Sequence, residues 1–241
     1  KPFPIALAAP TGRAAKRMTE TTGLKASTIH RLLGYGVDGV FQHDEFSQLD
    51  YDLIIIDESS MLDTLLAFQL FQSIKTGAQV ILVGDDNQLP SVGPGQVLKD
   101  LIESGAIPLT RLLTVHRQAQ DSSIISLAHA VKNNHLPDDL RVKKPDRLYV
   151  EATHQQIPVY LKQIVENAIS KGYTANEVQI LVPMYRGDCG IDSLNVMLQE
   201  IFNPPDEQNK REMTFGQRIF RIGDKVLQLA NQPEKGVMNG D

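Results

Sequence analysis

Short apolar runs alternate with amphipathic stretches along the first half of this chain. Ile5–Ala9, Leu53–Ile56 and Gln79–Val83 are too short for helices and read as buried strands of a parallel sheet. Stretches of helical period separate them. Arg13–Thr21 is stopped by Gly23, and Ile29–Leu33 is capped by Ser27 or Thr28 and ends at Gly34. Leu62–Lys75 stops at Gly77, and Gln96–Ser104 is closed by Gly105. Residues 35–48, with Gly36, Gly39 and the pair Val40-Phe41, predict a small hairpin or loop insertion. The alternation predicts an α/β fold with a parallel sheet. Around residues 108–116 the pattern resets, which sets two domains, 1–110 and 111–241. The second is expected to hold helices at Ser122–Asn133, Gln155–Lys171 and Ile191–Ile201. Its expected strands are Leu148–Val150, Glu177–Val182 and an alternating Phe220–Leu229.

Composition narrows the class. The chain has 241 residues and a formal net charge of −5. It holds no apolar run near the roughly 18 residues of a membrane span. No secretory signal follows Lys1, and the single Cys189 excludes an internal disulfide framework. These features predict a cytoplasmic protein. The charge is unevenly spread. Residues 1–36 hold Lys1, Arg13, Lys16, Arg17, Lys25 and Arg31 against one acid, Glu20, whereas residues 37–110 are strongly acidic. A basic opening segment suits phosphate contacts whatever the total charge; the plain alternative is a solvated helix face.

The chemistry concentrates at two strand ends. LIIIDESSM, residues 53–61, runs an apolar strand into Asp57 and Glu58. Open α/β sheets place ligands at the carboxyl ends of their strands. There one carboxylate can hold Mg²⁺ and the other can orient an attacking water. The alternative is an acidic helix start. QVILVGDDNQLPSVGPG, residues 79–95, repeats the layout and adds Gln88, which both donates and accepts hydrogen bonds and so suits a γ-phosphate or its attacking water. A Gly/Pro-rich turn accounts for its glycines and prolines, but not for its following a second such strand.

In order, AAPTGRAAKRM, IIIDESSM, VGDDNQLPSVGPG, LLTVHRQ, ILVPMYRGDCGIDSLNVMLQ, IGDKVLQLAN and VMNGD resemble the superfamily 1 DNA helicases, and within them the RecD-like branch of the exodeoxyribonuclease V alpha subunit. The resemblance implies two RecA-like parallel-sheet domains of the P-loop NTPase type, with ATP in the cleft between them. It implies an ATP-dependent DNA helicase moving 5′ to 3′ in DNA repair and recombination, with ATP and Mg²⁺ as cofactors. Its implied partners are single-stranded DNA and duplex junctions, with or without the other subunits of a recombination nuclease. By position, Asp57 matches the metal-associated acid, Glu58 the water-activating residue and Gln88 the γ-phosphate sensor. Arg117 matches an arginine that reaches the γ-phosphate, against the alternative of an interdomain ion pair; adjacent His116 is given no catalytic role. Pro10, Thr11, Gly12 and Arg13 match a segment lining the single-stranded DNA path. Thr28 and His30 match a second such element, and Met184, Tyr185 and Arg186 a third. The hairpin at 35–48 falls where the family carries a duplex-splitting wedge, with Phe41 near its tip.

The chain departs from the family in two respects: it lacks the phosphate loop and, after Asp241, the family's last two motifs, which complete the second domain. No GxxxxGK[ST] phosphate loop occurs in the 241 residues. The expectation is therefore an internal fragment with both domains incomplete, which alone hydrolyses ATP negligibly and exposes an apolar sheet edge. In the family VMNGD precedes a small inserted β-barrel. Two other readings compete: a non-catalytic single-stranded DNA-binding module that has lost its P-loop, and a metal-dependent nuclease using Asp57, Glu58, Asp85 and Asp86.

Overall fold

The computed structural model describes residues 3–36, 38–112, 122–205, 211–229, 232 and 237. The chain divides into two compact units, Lys1–Arg117 with Leu227–Asp241, and Gln118–Val226.

The first unit is built on four parallel strands, β1 (Ile5–Ala9), β2 (Ala26–Thr28), β3 (Leu53–Ile56) and β4 (Gln79–Leu82), in the order β2-β1-β3-β4. Leu7 faces Ala26 on one side and Ile55 on the other, and Ile55 in turn faces Ile81. Successive side chains of a strand point to opposite faces, so β1 and β3 each feed two cores. Ala6, Ala8, Ile54 and Ile56 pack with Ile29 and Leu33 and with Leu62, Ala67 and Leu70. Leu7 and Ala9 pack with Ala15 and Met18 on the opposite face. The first face is covered along β1 and β3 and the second over β1, while Ile81 of β4, on the second face, stays nearly half exposed.

The covering helices are α1 (Gly12–Thr22), α2 (Ile29–Leu32), α3 (Thr64–Gln72) and α4 (Val97–Ser104). Three carry side-chain caps: Thr11 accepts from Ala14 N–H, Thr28 from Arg31 N–H and Asp63 from Leu66 N–H. Gly23 and Gly105 end α1 and α4 in the left-handed conformation. The expected strands and helices of this unit therefore form, each within a residue or three of its predicted bounds. β2 is an addition, three residues that the sequence pattern did not single out.

The described residues of 35–48 form no strand pair; they make turns tied back to Leu33. Phe41 packs half-buried against the core and is not a free tip. β4 is an edge strand, and Ile81 on it and Val83 just after it are nearly half exposed.

The second unit holds α5 (Ser123–Lys132), α6 (Ile157–Ser170), α7 (Ile191–Phe202) and an antiparallel pair, β5 (Glu212–Phe215) with β6 (Arg218–Arg221). The three helices match their expected positions. The strands expected at Leu148–Val150 and Glu177–Val182 do not form, and Leu181 stands 87% exposed. A strand exists only against a neighbour, and β5 and β6 pair only with each other. The alternation over 220–229 yields strand only to Arg221, after which Gly223 at φ 97° turns the chain. No helix among the described residues is long and apolar enough to cross a membrane.

Candidate functional site

Because the four strands are parallel, their carboxyl ends share one edge, and the register aligns Ala9 with Thr28, Ala8 with Ile56, and Ile56 with Leu82. The four segments that follow hold the sequence-predicted residues of this unit: Pro10–Arg13 after β1, Thr28 and His30 at the end of β2, Asp57 and Glu58 after β3, and Gln88 after β4.

The segment after β3 is held tightly. Asp57 N–H donates to Ala8 carbonyl at 3.0 Å, and Ser59 N–H to Val83 carbonyl at 2.9 Å. Buried Ser59 donates its hydroxyl to Ile56 carbonyl at 2.9 Å. Between these ties Glu58 adopts φ 53° and ψ 37°, the left-handed region that a residue with a Cβ seldom takes. Such a conformation costs about 1–3 kcal/mol and persists only where its surroundings enforce it, most often at functional positions. Here Asp57 Oδ1 accepts the Glu58 N–H at 2.9 Å, and the 3-10 turn Ser59–Met61 begins at once. Glu58 and Asp57 are both half-buried.

The loop after β4 packs onto this segment through glycines. A Cβ on Gly84 would lie 2.8 Å from Leu98 Cδ2, 3.0 Å from Ser60 N and 3.1 Å from Ser59 N. Only a residue without a side chain lets the two loops approach so closely. Gly95, at φ 95°, lies against Thr64, whose N–H donates to Pro94 carbonyl at 2.8 Å. Within the loop, Gln88 N–H donates to Asp85 carbonyl at 3.2 Å, and Asn87 bonds both Asp85 and Asp86. The Gln88 side chain is exposed. Arg111 grips Asp86 with two guanidinium bonds, at 3.1 and 3.3 Å, and that carboxylate raises the Arg111 pKa above its usual value.

Both threonines expected on the DNA path also cap helices, Thr11 on α1 and Thr28 on α2. Their hydroxyl oxygens accept backbone N–H groups and keep a proton to donate outward. Gly12 is buried, while Arg13 and His30 are exposed.

The remaining expected residues lie elsewhere. Met184, Tyr185 and Arg186 belong to the second unit. The Met184 and Tyr185 carbonyls accept the N–H groups of Ile191 and Asp192 and so anchor the start of α7, leaving Tyr185 74% exposed. Arg117, and His116 beside it, lie outside the described residues.

Two features of the edge were not singled out from sequence. Ser60 Oγ is buried without a hydrogen-bond partner, beside the Gly84 contact. The serines after DE were the available signal for it. The Asp86–Arg111 pair spans 25 positions, and no local pattern announces it.

No group of three or more His, Cys, Asp or Glu side chains able to hold a metal ion occurs among the described residues. A cation at Asp57 would therefore take much of its shell from water and from a phosphate-bearing ligand, which is how Mg²⁺ usually binds. The carboxylates and the orphaned Ser60 hydroxyl fit such a group.

Residues 2–153 match the family model described as AAA domain, and residues 194–241 match the ATP-dependent RecD-like DNA helicase SH3 domain. The second match lies within the chain and ends on VMNGD, whereas the family resemblance implies a β-barrel only after it. The chain is 36% identical over 238 residues to the ATP-dependent RecD2 DNA helicase of Deinococcus radiodurans, covering 98% of this chain and 31% of that protein. It is 31% identical over 274 residues to the RecBCD enzyme subunit RecD of Mycolicibacterium smegmatis, covering 100% of this chain and 48% of that protein. Among solved structures, Bacteroides Pif1 bound to single-stranded DNA aligns with a TM-score of 0.45 at 19% identity, over 99% of this chain and 58% of that one. The chain thus spans less than half the length of these curated relatives.

Proposed function

Since the chain belongs to the AAA domain family and is similar to the RecD-like helicases, we propose that it is the part of an ATP-dependent DNA helicase that turns nucleotide hydrolysis into movement on single-stranded DNA. The observation that carries this reading is the left-handed Glu58, held beside Asp57 at the edge where a parallel α/β sheet takes its ligands.

In this reading Asp57 helps hold Mg²⁺, which when bound neutralises phosphate charge, and Glu58 accepts the proton of the attacking water. Gln88, on a loop locked to the Glu58 segment through Gly84, answers to the terminal phosphate. Arg117 supplies a cation from the segment that follows Arg111. Pro10–Arg13, Thr28 and His30 contact the sugar-phosphate backbone of the strand, and Met184, Tyr185 and Arg186 supply the other unit's contacts. The division into domains 1–110 and 111–241, the 5′ to 3′ direction, duplex junctions as substrates, a role in repair and recombination and a cytoplasmic location belong to the same proposal. So does assembly with other subunits: one relative is named as a RecBCD enzyme subunit and another as an ATP-dependent DNA helicase.

The test is ATP turnover with and without single-stranded DNA, in this chain extended through its whole reading frame. Turnover should rise with DNA and fall about a hundredfold or more in Glu58→Gln, the usual scale for losing a general base. The 241 residues alone, which carry no GxxxxGK[ST] stretch, should turn over negligibly. Absence of turnover in a folded extended protein would favour the non-catalytic DNA-binding module, and Mg²⁺-dependent cleavage of DNA without ATP would favour the nuclease.

A further inference from the structure

Three rings meet where α2 ends. Tyr35 and Phe41 lie 4.7 Å apart between centroids, tilted by 49°. His30 stands edge-on to Tyr35 at 5.4 Å and tilted to Phe41 at 5.9 Å. Their environments differ. Phe41 is packed on the hydrophobic core, whereas Tyr35 is 49% exposed and His30 is exposed. One ring anchors the group and two face outward.

The backbone fixes this arrangement. Tyr35 N–H donates to His30 carbonyl at 2.9 Å, and Gln42 and His43 N–H both donate to Leu33 carbonyl, at 3.0 and 3.1 Å. Gly36 N–H donates to Val40 carbonyl at 3.0 Å, closing the loop between the rings. Gly34, at φ 67°, makes the turn into it under the Gln42 side chain. An aromatic face held by its backbone loses little entropy when a flat ligand lands on it.

The charge pattern selects the ligand. Exposed Arg31 follows His30 on α2, and residues 1–36 carry six basic residues against one acid. Aromatic faces beside basic side chains suit single-stranded nucleic acid, whose bases stack and whose phosphates pair with cations. We propose that Tyr35, propped by Phe41 and His30, is a base-stacking platform for the single strand. This rests on the DNA-path reading of the same edge and adds to it a residue and a role. It also replaces the wedge expected of Phe41, which is seated in the core.

The test uses the 241-residue chain with an oligothymidylate carrying one 2-aminopurine and a terminal fluorophore. Anisotropy reads affinity and the quenching of 2-aminopurine reads stacking. Tyr35→Ala should weaken binding about tenfold and lose the quenching, while the slope of affinity against salt is unchanged. Tyr35→Phe should keep both. Arg31→Ala should instead reduce the salt slope by about one. Unaltered melting temperatures verify that the variants fold. If the parent chain binds no strand, the DNA-path reading and the platform fall together. If it binds and Tyr35→Ala matches it in affinity and quenching, the platform alone falls. Equal losses in Tyr35→Phe and Tyr35→Ala would make the hydroxyl responsible and overturn the stacking.

Discussion

In the unit that carries the parallel sheet, the side chains with no exposure are mainly aliphatic: Ile29, Leu33, Ile54, Ile56 and Leu70. In the other unit only Val165, Cys189 and Leu194 are buried hydrophobics among the described residues, and polar networks tie the elements. Arg221, with a side chain 7% exposed, bonds Glu200, Glu212 and the Asn203 carbonyl at once. Asp224 gathers Gln199, Asn203 and the Arg221 N–H. A two-sided apolar core can hold loops at a sheet edge firmly enough to keep Glu58 in a strained conformation. A helix tied to a two-stranded hairpin by ion pairs gives no comparable edge, and the candidate acids Asp57 and Glu58 lie in the first unit.

The sharpest way to break this contrast is to hollow the sheet. Ile56→Ala should cost about 2–5 kcal/mol. Hydrogen exchange followed by mass spectrometry should show protection lost across β1, β3 and β4, with α6 and α7 unchanged. Loss spreading equally to α7 would mean that the units do not open independently.

Gly84→Ala should cost less, about 1–3 kcal/mol, because the new methyl meets the Ser59 and Ser60 backbone as well as the flexible end of Leu98. Exchange should quicken at residues 57–61 and 83–96 and not in the core strands. In the extended protein, DNA-stimulated ATP turnover should fall with it.

The smallest effect probes the polar unit. Asp146 accepts bonds from the Ser123 and Ser122 hydroxyls and the Ser123 N–H at the start of α5, and these hold its pKa down to about 2 from 3.8. A carboxylate with a depressed folded pKa contributes stability that is complete above its unfolded value and is lost as pH falls through the folded one. Amide protection of α5 should therefore hold from pH 7 to about 4 and fall towards pH 2, and Asp146→Asn should flatten that profile.

Much of the first unit was legible because its signals are local. Leu53–Ile56 is apolar without interruption, Gly23 and Gly105 mark helix ends, and the cap Thr28 precedes its helix, whereas Asp63, inside the expected helix, turned out to be its cap. The edge itself followed from parallel strand order. The second unit was legible only in its helices. Glu177–Val182 has the composition of a strand, but pairing is a property of two segments, and the sequence does not say whether a partner is at hand. The same limit hid the Asp86–Arg111 pair and the ring cluster, since residues 30, 35 and 41 meet only after the turns at Gly34 and Gly39 form. The strain at Glu58 had no sequence signal beyond the acids themselves.

The most direct test of the central claim, that the carboxyl edge of the parallel sheet is the ligand edge, is hydrogen exchange of this chain with and without oligothymidylate. Exchange should slow over residues 10–17 and 28–42, with α3 and α6 unaffected. Protection confined to α5–α7, with residues 10–17 and 28–42 exchanging as in the free chain, would contradict it.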